Sequence, residues 1–240
     1  MHAVLIPSGG VTLNADMEIE QHSIGVVIFA LGTPGRCNSP RNKVVGDYFK
    51  SRALGTLFVD FLTPEEEKME AVTEGPLADT PLLASRICDA IQWLLLQSEV
   101  KGLPIGLYGG NSAAAATLVA AAEWQKGIAA VVIRGGDPTL KGNALQKVIS
   151  PTLLLVGEKD VGVIKMNEEA IHHLLCHREL VIIPGASHLF EEPTTKNQVL
   201  TLAADWFTER FTDWEHASQS TLVPHGTGGV PRMKPIHRNR

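Results

Sequence analysis

The sequence predicts an α/β domain whose sheet is mostly parallel and doubly wound. Three observations carry this expectation. Six short runs rich in β-branched residues are continuously apolar rather than alternating, which marks strands buried on both faces. Amphipathic segments of helix length separate them, so strand and helix alternate along the chain. The N-terminal stretch differs, because two strand-like patterns there flank a tight cluster of turn residues.

Taken in order, Val4 to Ile6 and Val11 to Ile19 surround Pro7-Ser8-Gly9-Gly10 and predict an antiparallel hairpin at the sheet edge. The buried runs are Gly25 to Ala30, Thr56 to Asp60, Ile105 to Tyr108, Ala130 to Ile133, Thr152 to Val156 and Leu180 to Ile183. Helical periodicity covers Arg41 to Ala53, Leu82 to Gln97, Ala113 to Gln125, Ile164 to Cys176 and Thr194 to Arg210. Ser39-Pro40 and Pro193-Thr194 supply helix starts, since proline is preorganised for the first helical position. Too few residues separate Arg134 from Pro151 to hold a lid domain, so a site at the strand ends should be open. From Asp213 onward the apolar pattern stops. One domain over 1–212 and a tail over 213–240, flexible or docked, is therefore expected.

Composition narrows the function. A net charge of -5, with acidic and basic residues interspersed, gives no basic footprint for nucleic acid. No apolar run is long enough to cross a bilayer, and no basic segment followed by an apolar core opens the chain. Cys37, Cys88 and Cys176 are odd in number and widely spaced, which suits idle thiols in a reducing cytosol better than a disulfide framework. A cytoplasmic protein acting on a small molecule, without nucleic acid, membrane or cofactor, is the expectation. His172, His173 and His177 could mimic a metal pair, but no third ligand of the right kind lies near them, so no metal is expected.

Three polar sites fall at the C-terminal ends of successive strands, where open parallel sheets bind ligands. Gly109-Gly110-Asn111-Ser112-Ala113 follows the run ending at Tyr108 and precedes a helix. A nucleophile elbow needs small residues two positions either side of its tip, because the turn has no room for side chains there; Gly109 and Ala113 meet this rule around Asn111. Asp160, in Gly157-Glu158-Lys159-Asp160, stands where a triad acid would sit, and His188, after Pro184-Gly185-Ala186-Ser187, where a triad histidine would. The order tip, acid, histidine is that of the α/β-hydrolase fold.

Further segments carry a closer likeness: Ser39-Pro40-Arg41-Asn42, Leu62-Thr63-Pro64-Glu65-Glu66-Glu67, Gly102-Leu103-Pro104-Ile105-Gly106, Arg134-Gly135-Gly136, and Gly185 through Pro193. Together they resemble the dienelactone-hydrolase-like family, and within it the branch often fused to phosphoribosyltransferase domains, over roughly residues 3 to 211. The resemblance implies a hydrolase acting on a small ester, lactone or related carbonyl compound. It also exposes two departures. That branch usually has serine at the elbow, where this chain has Asn111. It usually has His-Gly after the first buried parallel strand, in the oxyanion-hole region, where this chain has Leu31-Gly32.

Asparagine changes the chemistry. Its nitrogen is delocalised into the carbonyl and is a very poor nucleophile, yet the carboxamide donates and accepts hydrogen bonds at once. A second register, Gly110-Asn111-Ser112-Ala113-Ala114, would put Ser112 at the tip and restore an ordinary serine hydrolase. The spacing from Leu107 to Leu118 matches the resembled family without a gap when Asn111 is at the tip, so the resemblance favours that register; Ser112 would then lend its backbone N–H to the oxyanion hole, with the chain near Gly32 supplying the other donor. Arg134, ending a buried strand, could hold a substrate carboxylate or pair with Asp137 or Asp160. Arg36 and Arg41 read as solvated or helix-packing residues, and Glu65-Glu66-Glu67 as a charged helix start. Two functions stay open: weak or non-covalent hydrolysis, or a non-hydrolytic protein of hydrolase ancestry. The latter would be a ligand-binding pseudoenzyme or a lyase, isomerase or cyclase with His188 as general base.

Overall fold

The computed structural model describes residues 1–32, 37–70, 79–139 and 143–220. Eight strands form one sheet: β1 (His2–Ser8), β2 (Val11–Glu18), β3 (Gly25–Gly32), β4 (Leu54–Val59), β5 (Ile105–Asn111), β6 (Ile128–Arg134), β7 (Thr152–Gly157) and β8 (Arg178–Ile183). Their spatial order is β1-β2-β4-β3-β5-β6-β7-β8. β1 and β2 pair antiparallel and join β4 antiparallel, and the remaining strands are parallel. The sheet and its edge hairpin match the sequence expectation.

Two apolar cores form, one on each face, because residues two apart along a strand share a face. α1 (Pro40–Ser51) and α6 (Pro193–Ser220) cover the face carrying Phe29, Phe58, Tyr108 and Val132. α3 (Thr80–Leu95), α4 (Ala114–Trp124) and α5 (Val161–His173) cover the face carrying Ile28, Leu57, Leu107 and Ile133. Ser39 caps α1, its side chain accepting the N–H of Asn42, with Pro40 in the first turn. The acidic run opens α2 (Pro64–Glu70), where Thr63 and Glu66 exchange side-chain-to-backbone hydrogen bonds as a capping box. Glu66 also takes both terminal nitrogens of Arg86, which is 4% exposed, and so ties α2 to α3.

The structure moves several boundaries. β3 runs on through Leu31-Gly32 and β5 through Gly109-Gly110 to Asn111, because Leu31 pairs with Gly110 and Gly32 with Asn111 in the central ladder. Segments expected as loops are thus strand ends. α6 continues through 213–220, past the expected boundary at 212, and Trp214 packs on the α1/α6 core, where the sequence reading had the apolar pattern stopping. The remainder of the expected tail, 221–240, lies outside the described residues. Among the described residues no helix is long and apolar enough to cross a membrane.

Candidate functional site

Sheet order changes direction between β3 and β5, which creates a crevice at their C-terminal ends. Asn111 sits there as the last residue of β5, with two residues between it and α4. Its φ is +51°, in the left-handed region that few L residues other than asparagine tolerate, whereas Ser112 is not among the positive-φ residues. The left-handed position required by a tight strand-to-helix turn therefore falls on Asn111. Packing around the turn leaves no spare volume. A methyl group on Gly109 would come within 2.5 Å of the Thr117 hydroxyl, and one on Gly136 within 2.4 Å of the Asn111 carbonyl oxygen. The small residues of both motifs are thus explained by close approach rather than flexibility.

The Asn111 side chain is half-buried, and its Oδ1 is buried with no hydrogen-bond partner. A buried, unpaired carbonyl oxygen is costly, and such groups concentrate where a ligand completes the set.

Asp160 occupies the N-cap of α5 but makes no side-chain capping bond. Its carboxylate instead engages Nδ1 of His188 in a short contact. The imidazole is half-exposed and the carboxylate largely covered. The open face agrees with the absence of room for a lid between β6 and β7. With Nδ1 held by a carboxylate, Nε2 is the nitrogen left to exchange protons.

The His188 loop is built with care. Ser187 N–H donates to the Glu192 carboxylate at 3.1 Å, and the Thr195 hydroxyl donates to it at 3.0 Å. Glu192's own backbone N–H, with those two donors, holds its carboxyl down at about 2. Phe190 takes a positive φ of 53° and is buried. Gly135-Gly136 is the seam: a methyl on Gly135 would lie 3.1 Å from the His188 carbonyl oxygen, while Gly136 abuts Asn111. The two loops thus meet across one dipeptide.

Arg134 ends β6 opposite Gly110, and neither pairing expected for it forms. Asp160 is committed to His188, and Asp137 accepts from Thr139. Arg134 instead lies over the Phe190 ring at 5.6 Å. A cavity of about 360 Å³ opens under α1 and α6, lined by Leu31, Tyr108, Arg134 and Leu189 among others; Asn111, Asp160 and His188 are not in its lining, but Leu189 adjoins His188 and Arg134 adjoins the Gly135-Gly136 seam. Arg41 is exposed, in keeping with the solvated or helix-packing role expected for it, but it also lines this cavity, which the sequence reading did not indicate. The overlooked signal was a cation in the first turn of a helix, where the dipole disfavours one. Asp60, just past β4, was missed too; burial pushes its carboxyl up to about 6. Arg36 lies outside the described residues.

No protein-family model matches the chain. Over 206 residues it is 40% identical to a protein of Mycobacterium tuberculosis strain H37Rv provisionally named a phosphoribosyl transferase. That alignment takes in 86% of this chain but 46% of the relative, so the chain spans about half the length of the curated relatives it matches. A dienelactone-hydrolase-like promiscuous phosphotriesterase from metagenomic libraries shares the fold, with a TM-score of 0.70 at 16% identity. The crystal structure of dienelactone hydrolase from Anabaena variabilis superposes with a TM-score of 0.82 at 42% identity, over 87% of this chain and 96% of that one. Identity at that level across nearly the whole of a solved protein goes beyond a shared fold: the chain belongs to the dienelactone hydrolase family.

Proposed function

We propose that the protein is a non-covalent catalyst on a small ester, lactone or related carbonyl compound, with His188 as general base and Asn111 as a hydrogen-bonding anchor in place of a nucleophile. The observation that carries this reading is the left-handed Asn111, whose buried Oδ1 lacks a partner, in a turn that shares the Gly135-Gly136 seam with the His188–Asp160 pair. Asp160 keeps the proton on Nδ1, so Nε2 removes a proton from water as its oxygen bonds to the substrate carbonyl carbon. Negative charge then gathers on the carbonyl oxygen, near the Ser112 backbone N–H and the end of β3 at Leu31-Gly32. When the tetrahedral intermediate collapses, the bond to the leaving alkoxide breaks, and His188 returns its proton to that oxygen. Water and ester become acid and alcohol, and no acyl-enzyme forms.

Losing a covalent nucleophile typically removes about 10⁴ to 10⁶ of rate, while binding and oxyanion donors alone preserve roughly 10³ over water. Slow turnover is therefore the expectation. A reducing, cytoplasmic setting suits three free cysteines, of which Cys37 is buried.

A fluorophosphonate probe tests the reading, since it reacts only with a base-activated hydroxyl. Wild type should stay unlabelled, while Asn111→Ser should be labelled and gain esterase activity that His188→Ala removes. Stoichiometric labelling of wild-type Ser112, lost in Ser112→Ala, would overturn it in favour of an ordinary serine hydrolase. Binding of carbonyl compounds without any wild-type turnover would leave the ligand-binding pseudoenzyme instead.

A further inference from the structure

The cavity beside the catalytic turn holds more positive charge than its walls neutralise. Phe58 and Asp60, Phe29 and Leu31, Tyr108 and Gly110, and Val132 and Arg134 are spaced two apart on neighbouring chain segments, so they share the α1/α6 face. Arg134 is 9% exposed, makes no hydrogen bond or ion pair among the described residues, and buries an Nε that lacks any partner. Arg41 lines the same space from the first turn of α1, again with no ion pair among the described residues. Desolvation first, and then the charge of Arg134, holds the Arg41 guanidinium below its usual pKa, in keeping with two cations that line one cavity.

Tyr108 is 4% exposed and lines the cavity, and its hydroxyl has no hydrogen-bond partner among the described residues. The charges of both arginines act on its phenol. Lys196 adds a further cation from α6. On the acidic side, Glu191 acts on Arg41 only through space, and the Asp60 carboxylate takes the Cys37 N–H at 2.6 Å. The N-terminus of α1, with no acidic residue in its first turn, adds partial positive charge of its own.

Two guanidinium groups lining one half-closed space repel unless an anion lies between them. One carboxylate carries a single negative charge and would leave one of the two guanidinium charges unmatched. A phosphate monoester at neutral pH carries close to two charges and three terminal oxygens, which matches two guanidinium groups and one phenol. We propose that this cavity binds the phosphate of a phosphomonoester, so that the carbonyl compound acted on at Asn111 and His188 carries a phosphorylated arm. Placing the anion on the substrate rests on the function proposed above; the binding of phosphate itself does not.

Isothermal titration of the full chain at pH 8 and fixed ionic strength, using inorganic phosphate, phenyl phosphate, malonate and acetate, tests this. Phosphate and phenyl phosphate should bind at least tenfold more tightly than acetate or malonate. Arg41→Gln, at an exposed position, should weaken phosphate at least tenfold while keeping the wild-type melting temperature. Arg134→Met should abolish binding; if it does not fold, Tyr108→Phe, with an expected threefold to tenfold loss, takes its place. Phosphate no tighter than acetate, malonate tighter than phosphate, or Arg41→Gln binding like wild type would each overturn the proposal. Fluorophosphonate labelling of Asn111→Ser reads the catalytic turn independently, so failure of one half is distinguishable from failure of the other.

Discussion

Replacing Asn111 by glycine should make the protein more stable while removing its chemistry. The wild-type residue carries two penalties. Its backbone is left-handed at φ +51°, which costs an L residue about 1 kcal/mol, asparagine lying at the low end. Its Oδ1 is buried without a partner, at a cost of about 1–3 kcal/mol. Glycine removes both and gives back about 0.5–1 kcal/mol through the greater freedom of the unfolded chain. The net gain should be about 1–3.5 kcal/mol, which for a domain of this size raises Tm by about 2–14 °C. Calorimetry, with urea melts that show an unchanged m-value, measures it. Asn111→Ala separates the penalties, because it removes the unpaired oxygen but keeps a Cβ at positive φ; it should melt below the glycine variant. A glycine variant less stable than wild type would mean that the carboxamide holds the turn together, and the view that it is kept for a ligand would fall.

Three further outcomes follow from other parts of the structure. Asp60 has its carboxyl raised to about 6 from 3.8, chiefly by burial, so the folded state holds the proton more tightly than the unfolded one. Its contribution to stability is then full below about pH 4 and lost as pH rises through 6, and Asp60→Asn should match wild type at pH 4 but exceed it at pH 8 by up to about 3 kcal/mol in urea melts. Gly136→Ala should destabilise by about 2–4 kcal/mol and cut any activity, since the added methyl meets the Asn111 carbonyl oxygen and the Ala114 Cβ at 2.4 Å each; a wild-type melting curve would show that the seam can open. Glu66→Gln should cost about 3 kcal/mol by stranding Arg86, whose side chain is 5% exposed, and Glu66→Gln combined with Arg86→Met should recover part of it. A double-mutant cycle with no coupling would refute that.

What the sequence by itself determined is the scaffold and the order of its working loops. Short, continuously apolar runs bounded by turn residues, such as Thr152 to Val156, read as strands buried on both faces, and Pro7-Ser8-Gly9-Gly10 reads as a chain reversal, so the parallel sheet and its edge hairpin were legible from patterning. Asp160 and His188 were legible because strand-end loops in this topology converge on one crevice wherever the intervening helices lie. Tertiary structure decided the rest. Whether Asn111 or Ser112 takes the left-handed position depends on how far the β5 ladder runs, here to Gly32 opposite Asn111, as well as on asparagine's tolerance of that conformation. That Arg41 and Arg134 line one cavity depends on the seating of α1 against the sheet. A cation in an amphipathic helix looks the same in sequence whether it meets solvent alone or also shares a cavity with a second cation, because its charge is local while the other cation lies across the fold.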